Sequence, residues 1–317
     1  MSEAAAALSA SPGNGRASGE KDSALAPKID NPRRFAGYCI TAVIREAETA
    51  VYRATDERFS REAVIHVLTP AESHREAAAH FFTEAATVAR LRHPTLVRAM
   101  DVGKSGRQLF FVEEHVRGES LADKLARLER KRLGESEALR IIRQLALALQ
   151  ALADAGLCHC WLRPDKILLM EGGNARLRGA GHARQLRFST WREALCENAA
   201  WVAPEKIRDE SHLDIRADLY SLGCVWFYAL FGQPPFSAAA VESILESHLS
   251  ALPPSPRERD PRLSAATSQI ILWLLEKERE ARPRAPRDLL EHLERHPLWE
   301  GKMAADISTH QAKGNEG

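Results

Sequence analysis

Side chains able to do chemistry are densest between Cys158 and Lys166, which reads Cys158-His159-Cys160-Trp161-Leu162-Arg163-Pro164-Asp165-Lys166. Two thiols flanking an imidazole raise metal ligation. Alternate residues on a short segment rarely converge on one ion, and no second Cys pair lies at zinc spacing, so the thiols read as structural and no metal is expected. A second group is Ser189 and Thr190, beside Arg184, Arg187 and Arg192. A partner kinase adding a phosphate there would place it among guanidiniums, although a plain exposed basic loop is the commoner meaning of such a run. A third is His66 with Glu84 and His182, which would form a cluster if the fold brought them to one cleft. Trp161 and Trp201 offer an aromatic docking surface, against the commoner use of Trp in core packing.

These residues need elements to position them. Residues 1–36 are Ala, Ser, Gly, Pro and charge with little apolar pattern, and read as a disordered N-terminal tail. Tyr38 to Leu68 contains short strand-like runs, including Ala63-Val64-Ile65-His66-Val67-Leu68. Phe81, Ala85 and Val88 recur at helical spacing, and Pro94 closes that segment. Strands are expected near Leu96–Val102 and Gln108–Val116. Helices then dominate: Ala138–Leu152 ending before Gly156, a buried helix over Arg216–Phe231, and amphipathic helices over Thr267–Arg279 and Pro286–Arg295. Residues beyond Trp299 read as a frayed tail. The outcome is α+β: a small β-rich part with one helix, then a larger helical part.

Composition excludes some classes. The 317 residues carry 44 Lys+Arg against 43 Asp+Glu, so the formal charge is +1 and a nucleic-acid binder, with its usual basic excess, is not expected. No run approaches the ~18–20 apolar residues of a membrane helix, and the N-terminus lacks the basic-then-apolar order of a secretory signal. Five Cys at irregular spacing make no disulfide framework. These features read together as a cytoplasmic protein with reduced thiols. Only 10 of the 44 basic residues are Lys, and none falls between Lys28 and Lys104.

From about Gly37 to about Pro297 the chain resembles the eukaryotic-like bacterial Ser/Thr protein kinase family. The carrying segments are Ala89-Arg90-Leu91-Arg92-His93-Pro94, the stretch from Cys158 to Leu169, Ala203-Pro204-Glu205, Ala217-Asp218-Leu219-Tyr220-Ser221-Leu222-Gly223, Gly232-Gln233-Pro234-Pro235-Phe236 and Arg282-Pro283. Each is weak; their order and spacing together are specific. The resemblance implies a bilobal protein-kinase-like fold, with a small lobe over about 37–116, a large lobe over about 117–297 and a flexible C-terminal tail over 298–317.

The motifs that carry phosphoryl transfer in that family are degenerate in this chain. Anchored on Val51-Tyr52, the glycine-rich loop positions are Ile44, Glu46 and Thr49, and no Gly occurs between Gly37 and Gly103. The segment therefore reads as an ordinary hairpin. The position of the strand Lys is His66; the helix Glu survives as Glu84, so a His66–Glu84 contact is expected to tie strand to helix. His159 keeps the family His, but the catalytic Asp position is Trp161, whose indole is no base. The Lys that neutralises phosphate is Arg163. The metal-binding Asn is Lys166, and an ammonium does not ligate a hard cation. The metal-binding Asp is Gly179, followed by Ala180, and no Asp lies between Asp165 and Asp209. Around the adenine slot, Val51, Val64 and Leu168 are the apolar candidates and Glu113 stands at the gatekeeper, placing charge in an apolar slot. Glu205, Arg282 and Asp218 match structural positions of the family.

The resemblance thus implies a degenerate, pseudokinase-like member: a signalling scaffold or allosteric regulator without catalytic residues, without a cofactor and with Mg²⁺ not expected. Its partners would be proteins, an active Ser/Thr kinase or a kinase substrate. The alternative is a kinase-like enzyme that binds ATP weakly or works without metal, with Arg163 and Lys166 supplying the missing charge. A third reading is a binding module for another ligand in the altered cleft.

Overall fold

The computed structural model describes residues 34–45, 49–68, 75–180, 195–208 and 213–298. Glu46, His182, Ser189 and Thr190, the residues before Arg34 and those from Trp299 onward lie outside the described residues.

The small lobe is one antiparallel sheet. Its strands are β1 (Arg34–Phe35), β2 (Tyr38–Arg45), β3 (Thr49–Asp56), β4 (Arg61–Leu68), β5 (Ala99–Ser105) and β6 (Gln108–Glu114), in the order β1-β2-β3-β4-β6-β5. Tyr38, Ile40 and Ala42 are buried at every second position of β2, as strand geometry requires of a sheet with one face on a core. That core gathers Tyr38, Ala54, Ala63, Ile65, Val67, Phe110 and Val112. Strands β2 and β3 pair antiparallel. Helix α1 (Arg75–Arg90) contacts β5 and buries Ala85 and Val88.

Two boundaries differ from expectation. Arg34 and Phe35, placed in the tail, pair with Cys39 and Tyr38 across a tight turn at Ala36-Gly37, and Phe35 packs edge-on against Phe110 at 5.6 Å. An aromatic contact is enough to draw the end of a polar segment into the sheet. The strand expected from Leu96 begins at Ala99, because Leu96 instead forms a parallel bridge to Leu177 of the large lobe.

The large lobe contains a three-stranded sheet, β7 (Glu119–Ser120), β8 (Ile167–Leu169) and β9 (Ala175–Leu177), over helices α2 (Leu121–Arg127) and α3 (Glu135–Asp154). Gly156, left-handed at φ 70°, follows the end of α3. Helix α5 (Ile215–Phe231) comes after the short α4 (Pro204–Ile207) and is buried on nearly every side. It starts at an Asp214 cap and stops at left-handed Gly232, where a Cβ would meet the Lys131 carbonyl oxygen at 2.5 Å. Helices α6 (Val241–Ser250), α7 (Pro256–Arg259), α8 (Ala265–Leu274) and α9 (Pro286–Glu294) complete the lobe. No helix among the described residues is long and apolar enough to cross a membrane.

The helix expected over Thr267–Arg279 ends at Leu274. Past that end the Arg282 guanidinium takes the Glu276 and Lys277 carbonyls at 2.8 and 2.9 Å. The same guanidinium makes a two-pronged pair with Glu205, at 2.7 and 2.8 Å, with both side chains buried. It thereby ties α4 to the turn before α9. Nearby, buried His248 of α6 shares a 2.9 Å hydrogen bond with the Tyr220 hydroxyl. Burial, reinforced by Lys277, pushes the His248 imidazole down to about 3.

Two outcomes follow from this packing. Arg282→Met leaves the Glu205 carboxylate buried without its counter-charge, so chemical denaturation should show a loss of about 3–5 kcal/mol. His248 is neutral when folded and protonates more readily when unfolded, so its contribution is complete above about pH 6.5 and is lost as pH falls toward 3. The slope from this group is at most about 1.4 kcal/mol per pH unit. His248→Asn should therefore lose less thermal stability than the native chain between pH 7 and 5.

Candidate functional site

The candidate site lies where β8 and β9 meet the strands of the small lobe, and its floor is set from beneath by α5. Asp218, wholly buried, accepts the backbone N–H of His159 and of Cys160, each at 2.7 Å. Cys160 is held at φ 71°, a left-handed conformation rare outside glycine. The His159 ring reaches the Arg178 carbonyl at 2.9 Å through Nε2, and burial pushes its imidazole below the ordinary range. The loop is thus fixed by a carboxylate below and the strand beside it. Cys160 is buried and Cys158 half-buried, and neither is in a disulfide.

Beyond the turn the side chains pack against one another. The Lys206 ammonium sits 4.1 Å from the centroid of the Trp161 ring, and Lys206 is almost completely buried. Arg163 brackets Asp165, with contacts of 2.6 and 3.0 Å, and also reaches Glu197 at 3.2 Å. Lys166 is buried with its ammonium 3.8 Å from Asp165. Burial opposes the charge on Asp165, but Lys166 and Arg163 outweigh it and hold the carboxyl below its usual range. Trp201 packs edge-on against Tyr228 at 5.3 Å, and its carbonyl accepts the Ser221 hydroxyl.

On the upper side Val51, Val64 and Leu168 are buried, as is Ala180, which joins the large-lobe core. His66 lies on β4 and Glu113 on β6, where Val64 is the direct partner of Glu113 and Phe111 that of His66. The Glu113 carboxylate spans the gap. One oxygen is 3.1 Å from His66 Nε2, and the other accepts the Gly179 N–H at 2.8 Å. The strands bring His66 to Glu113 because the two residues share one face of adjacent strands. Glu84 is half-buried on α1.

Trp161, Lys166 and Gly179 offer no carboxylate or amide oxygen from their side chains, so these positions do not fit a Mg²⁺-nucleotide site. Among the described residues no group of three His, Cys, Asp or Glu is placed to hold a metal ion. One residue and one pairing escaped sequence reasoning. Lys206, directly after the Ala203-Pro204-Glu205 motif, carries no signal that it would fold over Trp161. The role of Glu113 as the partner of His66 and Gly179 was readable only from the β4–β6 register.

Known proteins share this architecture. The protein kinase domain family model matches residues 47–296. The DNA damage-responsive serine/threonine-protein kinase RqkA of Deinococcus radiodurans is 32% identical over 277 residues, spanning 83% of this chain and 40% of that protein. Serine/threonine-protein kinase PknL of Mycobacterium tuberculosis is 32% identical over 218 residues, spanning 68% of this chain and 54% of that one. The chain therefore covers less than two thirds of either relative's length. The crystal structure of the Mycobacterium tuberculosis PknI kinase domain superposes with a TM-score of 0.68 at 24% identity, covering 85% of this chain and 99% of that one. The β-sheet small lobe and helical large lobe are the protein kinase fold, and with a family match over most of its length the chain belongs to the protein kinase domain family.

Proposed function

We propose that this chain is a pseudokinase: a protein-kinase-like domain that acts as a signalling scaffold or allosteric regulator through protein partners. The observation that carries the reading is the Gly179 position. Where the family places its metal-binding Asp, this chain has a glycine whose N–H is already taken by Glu113. Phosphoryl transfer relies on metal charge and a positioned base more than on covalent chemistry. Trp161 brings an indole under a buried ammonium to the base position, and Lys166 brings a cation to a metal-ligand position. Structural pairs of the fold, Glu205–Arg282 and the Asp218 cap, are intact beside these changes. The scaffold and the chemistry have separated.

A second reading has its own support. The relatives above bear the name serine/threonine-protein kinase, and Arg163 with Lys166 supplies positive charge next to the cleft. On that reading the chain is an enzyme that binds ATP weakly or without metal.

Titration separates the two. A ligand at ~100 times its Kd adds roughly 2.7 kcal/mol to stability. The pseudokinase reading expects no change in thermal midpoint with millimolar ATP, with or without Mg²⁺ or Mn²⁺, and no transfer of labelled phosphate. A shift without metal supports the second reading, and metal-dependent transfer abolished by cleft mutations refutes the first. The combined variant His66→Lys, Trp161→Asp, Lys166→Asn, Gly179→Asp should also fail to reach the transfer rates of an active kinase, because the glycine-rich loop is still missing. Full activity from those four changes would show the loop to be dispensable.

A further inference from the structure

Glu113 and Glu114 are consecutive on β6, so their side chains leave opposite faces of the strand. Both nevertheless end on the segment that runs through β9 into Gly179. Inside the cleft, Glu113 joins His66 of the small lobe to the Gly179 N–H of the large lobe, and both side chains of the His66–Glu113 pair are more than nine-tenths buried. On the outer face, one Glu114 oxygen accepts the Arg98 N–H at 3.0 Å and the Arg176 guanidinium of β9 at 2.7 Å. Between them the backbones meet directly: the Val97 N–H donates to the Leu177 carbonyl at 2.9 Å, and the Leu177 N–H to Thr95 at 2.8 Å.

We infer that Glu113 and Glu114 form a two-sided clamp that holds the small lobe on the large lobe with no ligand bound in the cleft. Hydrogen bonds to an ionised carboxylate are shorter and roughly twice as strong as neutral ones, and the inner half is shielded from solvent and salt. The outer half is part-exposed and weaker. The clamp uses the carboxylate where a nucleotide-dependent domain would use a ligand, so one lobe arrangement is presented to a partner whether or not nucleotide is available. The inference concerns the same cleft as the reading above. Its test contains no nucleotide, so its failure leaves that reading standing and the converse also holds.

The experiment is hydrogen exchange with small-angle scattering on the full chain, comparing Glu113→Leu, Glu113→Gln and Glu114→Gln. In Glu113→Leu the Gly179 amide should exchange roughly tenfold faster or more, from loss of a charge-assisted hydrogen bond, and the radius of gyration should rise, while α5 amides keep their protection. Glu113→Gln, which keeps the side-chain volume and an acceptor for Gly179, should fall between the native chain and Glu113→Leu. Glu114→Gln should have a smaller effect, centred on the Arg98 amide. Native exchange at Gly179 in both Glu113 variants overturns the clamp. So does an acceleration that is equal at Gly179 and throughout α5, since that marks a core residue whose loss loosens the whole domain.

Discussion

The candidate site depends on one buried carboxylate. Asp218 projects from α5, the most deeply buried helix, and takes two successive amides of the loop that carries His159 and Trp161. A buried anion with two short N–H contacts is stable only if its donors stay where they are. The constraint propagates outward: the Cys160 backbone is turned into the left-handed region, His159 is aimed at the Arg178 carbonyl, and the Arg163–Asp165–Lys166 group is set along the cleft floor. Helix α5 can serve as the anchor because it is itself held on nearly every side by apolar side chains.

A second group of ions works on the far side of the same helix. Arg282 joins Glu205, the Arg216 carbonyl and the carbonyls of Glu276 and Lys277. Its guanidinium also lies 4.9 Å from the Tyr220 ring centroid. This five-donor use of one guanidinium explains why arginine, not lysine, stands here. The site and the scaffold are thus fixed from two faces of one helix.

Within the cleft the charges are reorganised. Lys166 and Lys206 are both buried, one beside Asp165 and the other over an indole face. A cation over Trp is favourable when desolvated, so Lys206 and Trp161 stabilise each other. The carboxylate of Glu113 meets His66 and a backbone amide. The result is a set of mutually satisfied groups across the lobe boundary.

Much of this was readable in the residues. The strand-like runs of the small lobe, the helical period of α3 with the glycine after it, and the apolar run of α5 follow from local geometry, which acts over a few residues and leaves a pattern in the chain. The loss of a carboxylate at 161 and 179, and of any Lys between Lys28 and Lys104, is a statement about residue type that needs no structure. The tertiary structure decided the pairings. His66 faces Glu113 because β4 and β6 are adjacent in one register, and Lys206 meets Trp161 although the two are far apart in sequence. Arg34 and Phe35 join the sheet because Phe110 waits across it. Which groups a chain contains is fixed by its sequence; which of them neutralise one another depends on distances that only the packing of remote segments sets, and electrostatic energy varies steeply with those distances and with burial.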